Sequence, residues 1–130
     1  MSRAGYTEDC DGWDLIRWRG AVESAIKGRR GQQLLRELLA ALDAMPVKRL
    51  IAGELEKDGE VCGLGCLGRV KSIDMSGIDP EDYDRVAETF GIAPAMAREI
   101  EYINDERGMN MTPEKRWEIV RRWVAEHIRL

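Results

Sequence analysis

The stretch GQQLLRELLAALDAM, residues 31–45, constrains this chain more than any other. Leu34, Leu35, Leu38, Leu39 and Leu42 recur at the three- and four-residue spacing that places side chains on one face of an α-helix. A stripe that broad has to be buried, so this helix is expected at the centre of the core with the rest of the chain covering it. Pro46 sets its end.

The flanking stretches carry the same period. WDLIRWRGAVESAIKG, residues 13–28, puts Leu15, Trp18, Val22 and Ile26 on one face, with Asp11 as N-cap and Gly28 as stop. The short link to the leucine helix predicts an antiparallel pair. DPEDYDRVAETFG, residues 79–91, is punctuated at both ends: Asp79 caps, Pro80 opens, Glu81 and Asp82 suit the positive end of the dipole, and Gly91 closes. APAMAREIEYINDERG, residues 93–108, turns Met96, Ile100 and Ile103 inward. In the last stretch Thr112 caps, Pro113 opens, and Trp117, Val120, Val124 and Ile128 form the buried stripe. Trp123 falls off that stripe beside Arg121 and Arg122, which predicts a partly exposed Trp of the kind found at interfaces.

The middle of the chain reads differently. Asp58-Gly59 is a turn signal and predicts a short strand or hairpin. EVCGLGCLGRVKS, residues 60–72, can be strand or helix, and the four-residue spacing of Cys62, Cys66 and Val70 favours helix. The expected fold is mainly α: a single domain of about six short helices over 13–130 with at most one small β-hairpin, behind an acidic N-terminal arm, 1–12. A length of 130 residues fits one domain.

GLGCLG, residues 63–68, matches the Gly-x-Gly-x-x-Gly fingerprint of dinucleotide binding. That fingerprint works only between a buried parallel strand and a helix. Here the approach, EKDGEV, is too polar for such a strand, so the glycines are expected to serve close backbone packing instead. Residues 80–105 have the small and apolar positions of a helix-turn-helix, with Ala87 at the crossing and Gly91 in the turn. The second helix offers Glu99, Glu101, Asp105 and Glu106 against Arg98, which repels DNA rather than reading it. Cys10, Cys62, Cys66 and His127 have looser spacing than a zinc site uses. His127 is the single histidine, and no Ser or Cys sits in a nucleophile-elbow context. No catalytic, cofactor-binding or metal-binding residue is assigned, no cofactor is expected, and the chain is not read as an enzyme.

Charge gives the best binding signal. The net charge is −4, but residues 13–36 hold six basic and two acidic side chains, whereas 74–107 hold ten acidic and three basic. Such polarity steers an oppositely charged partner. The candidate macromolecule-binding residues are Arg17, Arg19, Lys27, Arg29, Arg30 and Trp123, with the basic turn at 27–30 as the focus. No apolar run reaches the ~20 residues of a membrane span, and no leader-like apolar region opens the chain. Three cysteines, an odd number, fit a reducing compartment. A cytoplasmic location without a membrane partner is expected.

The phrases GYTEDCDGWDLIRWRGAV, LLAALDAMPVKRLI, GEVCGLGCLGR, IDPEDYDRVAETFGIAP, EIEYINDE and TPEKRWEIVRRWV cover nearly the whole chain. Together they resemble a family of small uncharacterised proteins encoded by bacteriophages and prophages of Gram-negative bacteria. The resemblance carries no functional residues. It implies the cytoplasm of a bacterial host, and it favours an accessory protein that binds a host or phage protein, including inhibitors of host defence or regulatory systems. The alternative is a nucleic-acid-binding regulator with a helix-turn-helix-like corner at 80–105 and the basic turn at 27–30. Homo-oligomerisation is compatible with either.

Overall fold

The computed structural model describes residues 12–107 and 109–129. The arm proposed for 1–12, with Asp11 and Cys10, lies outside them except for Gly12, which opens the first helix. The described residues form six α-helices, one π-helical turn and one two-stranded antiparallel sheet. The fold is therefore mainly α with one small hairpin, as expected.

Helices α1 (Gly12–Lys27) and α2 (Arg29–Ala44) are separated by one residue. Gly28 is extended, and the backbone ladder resumes at once with Gln32 N donating to Gly28 O at 3.0 Å. A one-residue link is shorter than the loops of antiparallel helix hairpins. The corner is tight enough that a Cβ on Gly31 would stand 2.0 Å from the Ala25 carbonyl oxygen. Helix α1 also packs across α5, while α2 is flanked by α3 and α6. Leu34, Leu35, Leu38 and Leu42 are buried as the stripe requires, and Leu39 is half-buried. At the far end of α2, Lys48 Nζ donates to the carbonyls of Asp43 and Met45 at 3.0 and 2.7 Å, satisfying acceptors that a helix end leaves open.

Strands β1 (Glu56–Lys57) and β2 (Glu60–Val61) pair Glu56 with Val61 and Lys57 with Glu60. The connecting Asp58 and Gly59 both have positive φ, 54° and 82°, the backbone of a type I′ turn. The strand leads directly into α3 (Gly63–Val70), so the glycine-rich stretch is a helix.

Two expectations are corrected in the next helices. Helix α4 spans Tyr83–Phe90 and is capped by Asp82, not Asp79. Asp79 instead folds a local turn, its Oδ1 accepting from Glu81 N at 2.9 Å, and Asp82 Oδ1 takes the cap bond from Arg85 N at 3.1 Å. Gly91, left-handed, ends α4. Helix α5 (Pro94–Tyr102) carries the inward Met96 and Ile100, but it widens into a π-helical turn over Ile103–Arg107 instead of continuing as α-helix.

Helix α6 (Pro113–His127) starts as expected, Thr112 Oγ1 accepting from Lys115 N at 3.1 Å. Its aromatic residues exchange roles, and Trp123 is corrected: it is only 4 % exposed. It lies three residues beyond Val120 on the buried side, where its ring stacks on His127 with centroids 4.5 Å apart. Trp117 is the half-buried one, with Nε1 donating to Leu42 O at 3.2 Å and Lys48 Nζ 5.5 Å above its ring. A stripe counted mainly in steps of four missed that positions three apart share the same face.

Candidate functional site

The basic turn survives folding as a surface feature. Lys27 ends α1, Arg29 and Arg30 open α2, and all three are exposed. None of them makes an ion pair with a described residue. Helix α2 has no acidic residue in its first turn and no side-chain cap, so no side chain of that turn offsets Arg29 and Arg30, whereas Lys27 closes α1, where the helix dipole favours a cation.

The other two predicted cations do different work. Arg19 Nη1 pairs with Glu99 Oε2 at 2.9 Å, and Glu99 is buried. Burying that carboxylate unpaired would be costly, so Arg19 is a structural counter-ion. Arg17 is exposed and already engaged. Both lie more than two helical turns before the corner, and Trp123 is in the core, so the structure gathers Lys27, Arg29 and Arg30 and leaves the other three candidates elsewhere.

Two cavities lie along α2. The first, about 310 Å³, is lined by Arg29, Arg30, Leu34, Glu37, Lys71 and Phe90. Lys71 Nζ meets Glu37 Oε1 at 2.8 Å, and this bond holds the Glu37 carboxyl below the usual carboxylate range. The second is larger, about 430 Å³, within the range of ligand pockets. Its walls are mostly apolar, including Ala41, Val47, Val61, Cys66 and Val70. Val47 and Val70 are 61 % and 63 % exposed, the most exposed valines of the described chain. Arg49 and Arg69 stand at the rim, each held by carboxylates: Arg49 Nε is 2.7 Å from Glu60 Oε1, and Arg69 Nη2 is 3.1 Å from Glu56 Oε2. The apolar cavity escaped the sequence reading because its residues come from α2, the 45–47 turn, the hairpin and α3. The available signal was Val47, an apolar residue outside any stripe.

Cys66 lies in this wall, buried, with its thiol pushed up to about 11 by burial and only partly pulled back by the charge of Arg69. Iodoacetamide at neutral pH is therefore expected to leave Cys66 unmodified in the folded protein and to label it after denaturation. Peptide mapping that finds native Cys66 labelled would overturn this. A raised folded pKa favours the protonated thiol, so the contribution to stability is intact below pH 9 and fades between 9 and about 11.

The glycine pattern has a packing role. Gly63 N donates to Asn104 Oδ1 at 3.1 Å and Gly65 N to Cys62 Sγ at 3.3 Å, so two of the first three amides of α3 are consumed inside the protein. A Cβ on Gly65 would stand 1.8 Å from the Leu55 carbonyl oxygen. With the Gly63 and Gly65 amides committed, Leu64 buried and no room beside Gly65, this helix start does not receive a pyrophosphate.

The helix-turn-helix outline is also accounted for. α5 buries Ala95, Met96, Ala97, Glu99, Ile100 and Glu101 and packs on α1, α3 and α4. A helix enclosed in this way cannot lie in a major groove. Half-buried residues beside α5 form a stack that the sequence did not suggest: the Arg98 guanidinium lies 4.4 Å from the Trp18 ring and 5.0 Å from that of Tyr83. Among the described residues, no group of three or more His, Cys, Asp or Glu gathers as a metal site, and no helix is long and apolar enough to cross a membrane. Comparisons with protein-family profiles, curated proteins and solved structures return no match.

Proposed function

We propose that this chain is a small phage-type accessory protein that works in the bacterial cytoplasm by binding another protein, host or phage, through the α1–α2 corner. One observation carries the reading: Lys27, Arg29 and Arg30, within four residues at the corner, are all exposed and make no ion pair to described residues, on a chain whose net charge is −4. Unbalanced cations on an otherwise acidic surface select an acidic partner and speed its encounter. The phage setting rests on the resemblance of the sequence phrases. A binding role is favoured over an enzymatic one by the titratable groups of the larger cavity. Arg49 and Arg69 are tied to carboxylates, and the Cys66 thiol is held protonated.

The second reading, a nucleic-acid-binding regulator, would use the same three cations on phosphates. The two separate by salt and nuclease. Capture of a partner from host lysate on the tagged protein is expected to survive nuclease. Reversing both arginines, Arg29→Glu with Arg30→Glu, is expected to weaken it by about tenfold or more. Recovery that collapses with nuclease, with affinity falling steeply in salt, would favour the regulator. Unchanged affinity in the double variant would remove the corner as the contact.

A further inference from the structure

The two cavities along α2 belong to one surface. Arg30, Gln33, Glu37, Ala41 and Ala44 recur at three- and four-residue spacing and so share a face of the helix. Across from them, α3 ends in Val70, which lines the apolar cavity, and the next residue, Lys71, lines the cationic one. The Glu37–Lys71 pair, partly exposed on both sides, lines the cationic cavity, one helical turn from Ala41 along α2 and next in the chain to Val70, both of which line the apolar one. A partly exposed pair of this kind contributes little to stability, so an incoming carboxylate can displace Glu37 from Lys71.

We propose that this face is a single polarity-graded groove that takes one segment of the partner protein, acidic at the α1–α2 corner and apolar at the far end of α2. This rests on the protein-binding reading above and specifies the partner's chemistry. At the corner, Arg29, Arg30 and Lys71 face Glu37 alone among the charged lining residues, an excess that calls for two carboxylates. At the other end, Val47 and Val70 offer apolar surface that water covers in the free chain, and the cavity beneath accommodates a large apolar side chain. Arg30 and Ala41 are eleven residues apart, roughly 16 Å of helix at 1.5 Å per residue, which sets the spacing between acidic and apolar anchors in the segment. A nucleic-acid strand fits less well, because Glu56 and Glu60 stand beside the rim arginines at the apolar end and repel phosphate.

The test is a selection of displayed random 16-residue peptides on the immobilised full chain, followed by fluorescence anisotropy of the selected peptides. The expected result is a shared composition, carboxylates to one side of an apolar cluster. Affinity should fall at least tenfold in Val70→Asp and, separately, in Arg29→Glu with Arg30→Glu. Lys57→Glu on the hairpin should leave it unchanged. Val70, Arg29 and Arg30 are exposed, so thermal melts close to the parent's are expected for each variant. Peptides that respond to one end only, or to neither, overturn the graded groove. So does a selection that enriches nothing. Parallel capture from lysate separates the two levels. A protein retained equally by parent and both variants leaves protein binding standing without this groove. Retention that depends on nucleic acid removes both.

Discussion

Replacing Gly65 with alanine is expected to destabilise the fold by about 3 kcal/mol and to lower the melting temperature by roughly 10 °C. The added methyl would stand 1.8 Å from the Leu55 carbonyl oxygen and 2.8 Å from its carbon. Both are backbone atoms and cannot rotate away. That same carbonyl accepts from Cys62 N at 3.1 Å, the bond that closes the hairpin onto the start of α3. Relieving the clash therefore means pulling the hairpin off the helix. Against this, alanine in a helix interior gains only about 1 kcal/mol over glycine. Gly20→Ala provides the contrast: nothing lies within 4 Å of a Cβ there, so the same exchange in α1 is expected to be neutral or stabilising. Thermal unfolding followed by circular dichroism checks both. A Gly65→Ala melt within 2–3 °C of the parent would mean that α3 does not pack as described.

Gly65 also shows what the sequence could disclose. That the GLGCLG glycines serve close approach was legible, because the flanking polarity ruled out a parallel strand. Which carbonyl they approach was not, since Leu55 reaches α3 only through the hairpin. Helix positions followed from stripes and caps, and Thr112, Pro113, Gly91 and the Asp58-Gly59 turn act as read. The Asp79 cap failed for a local reason. Two aspartates three residues apart can each bond a backbone amide two or three residues on, and only packing selects which one starts the helix. Arg19 failed for a tertiary reason: its partner Glu99 is eighty residues away, and a basic residue that neutralises a buried acid looks identical in sequence to one that faces solvent. The corner cations were visible because Lys27, Arg29 and Arg30 are consecutive in the chain apart from one glycine. The apolar end of the groove was not, because two stretches, 41–49 and 59–70, are brought together only by the packing of α2 against the hairpin and α3.

Asn104 is the residue whose loss is expected to cost most among the polar side chains. It sits buried in the π-helical turn. Its Oδ1 accepts from Gly63 N at 3.1 Å, and its Nδ2 donates to Ile51 O at 2.9 Å and to Asp105 Oδ1 at 2.7 Å. Arg116 locks the same turn from α6, donating to Asn104 O at 3.1 Å and to Leu50 O at 3.0 Å. One amide thus joins the start of α3, the 50–53 segment and the π-helical turn. Asn104→Ala leaves the Gly63 amide buried without an acceptor and deprives the Ile51 carbonyl of that donor. Each unsatisfied buried group costs about 1–3 kcal/mol, so a loss of roughly 3–4 kcal/mol is expected. Asn104→Asp keeps an acceptor for Gly63 but replaces the donor with a carboxylate oxygen facing Ile51 O and the neighbouring Asp105, so it should rescue little. Asn104→Ala should also speed hydrogen exchange at Gly63 and Ile51 more than at the α2 amides around Leu38, because the knot opens before the leucine core does. If exchange rises uniformly instead, Asn104 acts through global stability alone. If neither stability nor exchange changes, the three elements are held by apolar contact and the amide is dispensable.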